Sequence, residues 1–159
     1  MMHGDPTWAI PQGNTMMDFA VQMLEEPEKL NEESKRRVEE YLDFAEKLDS
    51  HGHLLDGFTL CSDYCFNVNP FFTPDQFDEL IVPYLKEIIS EYRKLGYYMI
   101  KHTDGNIMPI LKQMADCKPD AIHSIDPQGH VNLREVREIV GDKIALIGNV
   151  NCGLLQTGT

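Results

Sequence analysis

Apolar positions along this chain change their spacing repeatedly, and each change marks an element. From Asn31 to Leu48 they fall at Val38, Tyr41, Leu42, Ala45 and Leu48, the i, i+3, i+4, i+7, i+10 pattern of one helical face. A shorter helix is predicted from about Thr15 to Leu24, after fifteen irregular residues broken by Gly4, Pro6, Pro11 and Gly13, in which Trp8 anchors a loop. The run "LLDGFTLC", Leu54 to Cys61, is too short for a helix of its own and is bounded by Gly52 and Asp63, so it reads as a strand. Thr73-Pro74-Asp75 has the form of an N-cap followed by proline at the first helical position. Phe77, Leu80, Ile81, Tyr84, Leu85, Ile88 and Ile89 then continue at helical spacing toward Gly96, with Pro83 expected to bend the helix. Beyond it follow a strand at Tyr97 to Lys101, a helix at Asn106 to Ala115, a strand in "DAIHSI", a helix at Leu133 to Val140 and a strand in "KIALIG".

Strands alternating with helices through short connections imply an α/β fold with parallel pairing. In such folds the C-terminal strand ends converge on one rim, where ligands bind. The residues after the four strands are Ser62-Asp63-Tyr64, His102-Thr103-Asp104, Asp126-Pro127 and Asn149-Val150-Asn151. Each could cap the helix that follows it, but four polar strand ends together point to a site. His102 beside Asp104 is a workable acid–base unit, since the carboxylate orients the imidazole and raises its pKa. The alternative is a turn in which Asp104 or Asn106 caps the next helix, with Gly105 supplying a left-handed backbone. For His123, alternation leaves both faces of its strand open, and a hydrogen-bonded core histidine competes with a substrate contact.

Composition narrows the classes. At 159 residues the chain is long enough for a sizeable core, and a net charge of −12 with no basic stripe argues against a nucleic-acid or anionic-membrane surface. Acids and bases alternate along the helical run from Glu25 to Glu46, which reads as a solvated face. No apolar run approaches the roughly eighteen residues of a membrane span, and the first residues lack the layout of a signal peptide, so a cytoplasmic location is expected. Cys61, Cys65, Cys117 and Cys152 lack the short paired spacing of a structural zinc site and are expected to be buried free thiols.

The segments "SDYC", "PFFTPDQFDELIVPYLKEI", "IKHTDGN" and "LIGNVN", in that order, resemble the uroporphyrinogen decarboxylase superfamily, which also contains corrinoid-linked methyltransferases. The resemblance runs from "EEPEKL" to the end of the chain. It implies a (β/α)8 barrel, a fold that typically needs about 250 residues, of which about four βα units are expected here as an incomplete barrel. An open half barrel exposes two strand edges, so self-association or completion by another chain is expected.

What the resemblance implies for individual residues is uneven. Family decarboxylases hold a tetrapyrrole with an N-terminal arginine-rich loop, which has no counterpart before Arg36. Their Asp-Ser pair after a strand corresponds to Asp63-Tyr64, with tyrosine replacing serine. In the zinc methyltransferases the strand-end motif is His-x-Cys, and His102-Thr103-Asp104 carries Asp in place of Cys. Zinc accepts carboxylate oxygen, yet that donor suits activation of a soft thiolate poorly, so no metal is the first expectation and zinc on His102 and Asp104 the second. The first functional expectation is decarboxylation of a carboxylated tetrapyrrole or another large substrate. Asp63, His102, Asp104 and Asp126 would do the chemistry, while Tyr64, Asn106, His123, Asn149 and Asn151 would contact substrate. Methyl transfer with a corrinoid protein partner is the alternative, and association without catalysis a third.

Overall fold

The fold is described for residues 1–158 in a computed structural model. Among these residues five parallel strands form one sheet in chain order: β1 (Met2–His3), β2 (Gly57–Cys61), β3 (Tyr98–His102), β4 (Ala121–Ser124) and β5 (Ala145–Gly148). Between and after them lie α1 (Met16–Glu25), α2 (Pro27–Ser50), α3 (Pro74–Leu80), α4 (Val82–Lys94), α5 (Leu111–Asp116), α6 (Leu133–Val140) and α7 (Cys152–Thr157). Consecutive strands that neighbour one another in parallel are the repeating unit of a barrel wall, here open at the β1 and β5 edges. The irregular lead-in expected at the N-terminus thus contains a fifth strand. Its two residues are too few to show a period, and only pairing with Phe58 and Thr59 makes them a strand.

Side-chain alternation divides the sheet into two unlike faces. Phe58, Leu60, Met99 and Ile122 are fully buried against the helices, where Leu85, Ile88, Ile89 and Tyr92 of α4 meet them. Phe58 stacks on Tyr92 at 4.2 Å between ring centroids and meets Tyr97 edge-on at 5.0 Å. Burying such a ring contributes on the order of 2–3 kcal/mol. The other face carries Thr59, Ile100 and the exposed Cys61 and Tyr98. It corresponds to a barrel interior and is open because the strands do not close.

Local chemistry explains the helix boundaries. Thr73 Oγ1 accepts from the Gln76 amide at 3.2 Å while Gln76 Oε1 accepts from the Thr73 amide at 3.0 Å, a reciprocal cap that starts α3. The long helix expected to bend at Pro83 is instead two helices separated at Ile81, with Pro83 in the first turn of α4, where its missing N–H costs nothing. Pro109 acts similarly after β3: Met108–Ile110 form a 3-10 turn, and α5 begins only at Leu111. Helix α6 spans the predicted residues, its N-terminus capped by Asn132 Oδ1 accepting from the Arg134 amide at 2.9 Å. Of the four cysteines, all free, Cys65 and Cys117 are buried as expected, whereas Cys61 on the open face and Cys152 are exposed.

One charged pair lies wholly inside. Lys101 Nζ is 2.7 Å from Asp5 Oδ2, both side chains are without solvent exposure, and the ammonium also donates to the carbonyls of Leu60 and Ser62 at 3.1 Å each. It sits 4.0 Å from the centroid of the Tyr64 ring. Asp5 Oδ1 accepts from the Thr7 amide at 2.9 Å and the Thr7 hydroxyl at 2.6 Å. Burial alone would raise the Asp5 pKa. The facing Lys101 charge and the hydrogen bonds from Lys101 and Thr7 outweigh it and hold the carboxyl below its ordinary value.

Breaking this pair leaves a buried charge without a counterion. Asp5→Asn is expected to cost about 3–5 kcal/mol in urea unfolding at neutral pH. Because the folded Asp5 pKa is lowered, its stabilisation is complete above the ordinary carboxylate range and is lost as pH falls through the folded value. The difference between wild type and Asp5→Asn should therefore shrink in acid, and a difference independent of pH would contradict the assignment.

Candidate active site

Strand β3 ends at His102, which pairs in register with Cys61 of β2 and His123 of β4. Alternation directs Lys101 toward the helices and His102 toward the open face. His102 Nδ1 and His123 Nδ1 are 2.7 Å apart, so one ring donates and the other accepts. With Nδ1 engaged, His102 Nε2 faces two carboxylates, Asp63 Oδ1 at 3.6 Å and Asp104 Oδ2 at 3.9 Å. Asp63 Oδ1 accepts from the Asp104 amide at 3.1 Å, and Asp104 Oδ1 accepts from the Ser124 hydroxyl at 2.6 Å. Three strand ends thus meet at one imidazole.

The carboxylates are more than half exposed, so their attraction to His102 is screened and adds at most about 1 kcal/mol to stability. Their significance is geometric. His123 lies deeper: burial pushes its pKa below the ordinary histidine value, and nearby His102 adds to this while Asp104 partly offsets it. A cleft of about 480 Å³ opens beside the pair, lined by His102, Asp104, His123 and Asp126 together with Val150 and Leu155. A larger cavity, about 680 Å³, lies beside Trp8 and Arg37; it reaches Cys61 and Ser62 but is not lined by either histidine of the pair.

The ligand atoms of Asp63, His102 and Asp104 all lie within 4.8 Å of one another, near enough to share a cation. The donors are one nitrogen and two carboxylates, with no thiolate among them. Such a set fits a borderline or hard divalent ion and does not fit the thiolate-rich zinc that activates a soft thiol.

Other expected site residues have different positions. Tyr64, expected to contact substrate, is fully buried, its hydroxyl 2.6 Å from Thr7 Oγ1 and its ring edge-on to Phe77. A large aromatic ring after β2 finds more apolar surface beneath the rim than above it. Asn106 is occupied in bracing its loop: its side chain donates to the Val68 carbonyl at 2.8 Å and accepts from the Met108 amide at 3.2 Å. Asn149 donates to the Ile125 carbonyl at 3.0 Å, and Asn151 caps α7 by accepting from the Leu154 amide at 3.2 Å. These three serve the backbone and do not line the cleft. Asp126 does both, capping the turn at Pro127–Gly129 through the Gln128 amide at 2.9 Å while reaching the cleft. Ser124 and Lys101 were absent from the expected set. The position of Ser124 at the end of β4 is the signal that could have found it, whereas Lys101 looks like the polar end of an apolar strand.

Gly105 has the left-handed backbone expected of it, with φ of +80°, and a Cβ there would lie 2.6 Å from the Phe66 carbonyl oxygen. It turns the chain from Asp104 back under the loop after β2, leaving the carboxylate on the rim.

Among solved structures, a methyltransferase from Methanosarcina mazei shares the fold, with a TM-score of 0.70 at 20% sequence identity over 86% of this chain. This chain spans 38% of that protein's length. No curated protein sequence matches. The family model for uroporphyrinogen decarboxylase (URO-D) matches residues 60–159, the stretch that runs from the end of β2 through β5 and carries every residue of the histidine–carboxylate cluster, and the chain belongs to that family.

Proposed function

We propose that the chain carries the acid–base part of a decarboxylase-type site acting on a carboxylated tetrapyrrole or a similarly large substrate. The observation that carries it is His102, hydrogen-bonded to His123 on one nitrogen and facing Asp63 and Asp104 with the other. Family membership supports this reaction class and methyl transfer alike, and the side-chain chemistry of the cluster favours the former. Loss of an acetate carboxylate from a pyrrole begins with a proton placed on a ring carbon, which leaves a cation. The carbon–carboxylate bond then breaks, its electron pair neutralises the ring and carbon dioxide departs; the exocyclic carbon takes a proton to become methyl, and the proton first placed on the ring carbon is released to restore the aromatic pyrrole. His102 is suited to the first transfer, because its Nε2 faces the open rim between two carboxylates while His123 fixes the orientation of its ring. Asp63 and Asp104 are suited to stabilising the cation that follows, being anionic and already aimed at one point.

A second reading has one observation in its favour, the three donor atoms gathered at Asp63, His102 and Asp104. They would hold a divalent ion acting as a Lewis acid, in a methyltransferase-type member working with a corrinoid protein partner. The lack of a thiolate donor places this second. Among the described residues no helix is long and apolar enough to cross a membrane.

Incubation with uroporphyrinogen, of the chain alone and of the chain supplied with a complementary barrel segment, should give stepwise carboxylate loss by mass spectrometry. His102→Ala should lower the rate by about 10²–10⁴-fold, and an absence of carboxylate loss under both conditions would overturn the reading. Metal analysis separates the alternatives: the decarboxylase reading expects no stoichiometric zinc. Stoichiometric zinc that disappears in His102→Ala would transfer the assignment to methyl transfer. The histidine pair also has a pH signature. Since the folded His123 pKa is lowered, its contribution to stability is present above the ordinary histidine value and is lost as pH falls through the folded one. Thermal melts of His123→Gln between neutral and mildly acid pH should show a shallower decline than wild type; an identical decline would remove the assignment.

A further inference from the structure

The groups of the cluster stand on the rim, yet the backbone that carries Asp63 is held from below. Lys101 and His102 are consecutive, so the strand directs one to each face. Beneath the sheet, Lys101 Nζ takes the carbonyls of Leu60 and Ser62, the latter immediately before Asp63. Immediately after Asp63, the Tyr64 amide donates to Thr103 Oγ1 at 2.9 Å. The Asp63 carbonyl itself accepts from the Ile10 amide at 2.8 Å. Asp5, the counterion of Lys101, binds Thr7, whose hydroxyl reaches the Tyr64 hydroxyl at 2.6 Å. A closed circuit of polar contacts therefore runs from Lys101 through Asp5, Thr7 and Tyr64 to Thr103, and Asp63 lies within it.

We propose that Lys101, with Asp5, is a positioning pair: it clamps the end of β2 to β3 and so places the Asp63 carboxylate against both the Asp104 amide and His102. Its functional meaning rests on the acid–base reading of the cluster, but the clamp itself is a statement about geometry. An apolar side chain at position 101 could fill the same volume among the helices, and buried ion pairs are commonly replaceable in that way without loss of stability. It could not bind two carbonyls of the neighbouring strand. A charge here is thus explained by what it holds, and small displacements of a reacting group are costly to catalysis.

The double variant Asp5→Leu/Lys101→Met removes both charges together and leaves no unpaired ion. Amide hydrogen exchange reads the rim directly, the Asp104 amide reporting its bond to Asp63 and the Tyr64 amide its bond to Thr103. Asp63→Ala sets the exchange rate of an Asp104 amide without its acceptor. The double variant is expected to fold with core protection in β3 and α4 retained, while the Asp104 and Tyr64 amides exchange about tenfold faster or more. Unchanged protection at both amides would overturn the proposal, because the pair would then only fill the core. A double variant that fails to fold would overturn it too, since the pair would then be a requirement of the core itself. No substrate enters this experiment, so its failure is distinguishable from a failure of the decarboxylase reading.

Discussion

An ammonium group shut away from water must find its solvation within the protein, and Lys101 finds it by drawing three segments together. Its partners come from the residues after β1, from the end of β2 and from the loop that follows. Hydrophobic packing of Phe58, Leu60 and Met99 on α4 accounts for most of the cohesion of this layer, but it is non-directional and does not specify where one strand ends beside another. The ion pair and its carbonyl contacts supply that direction. The pair therefore belongs to the rim as much as to the core.

Above it, the rim shows how a parallel wall assembles chemistry from residues far apart in sequence. Asp63, His102 with Asp104, and His123 with Ser124 come from three successive strand ends, and register alone brings them into contact. The exposed carboxylates and the half-buried imidazoles form a graded environment in which His123 is held toward its neutral form beside a His102 flanked by negative charge. That gradient suits proton transfer. The same donors would suit a divalent cation, and the preference for the former comes from the absence of sulfur in the set.

Several expected contacts were displaced by the demands of the backbone. Asn106, Asn149 and Asn151 satisfy main-chain groups at turns and a helix start, which is the usual occupation of asparagine where chains change direction. Tyr64 was displaced by its size. Asp126 shows that capping and lining a cleft are compatible when the cap is short and lies at the rim.

Much of the architecture was legible in the sequence because it rests on local periodicity: α2, α6, the capped start of α3 and the strands β2 to β5 each carry their own pattern over several residues. The two-residue β1 and the break at Ile81 do not, since a strand of that length exists only through its partner and one proline permits either a bend or a new start. His102, Asp104 and Asp63 could be named as site residues because each follows an apolar strand. That His102 contacts His123, that Ser124 holds Asp104, and that Lys101 is paired with Asp5 ninety-six residues away could not be read there. Periodicity records which face of an element is buried, but strand register and the depth of a loop decide which charges meet, and those are set only when the whole sheet packs.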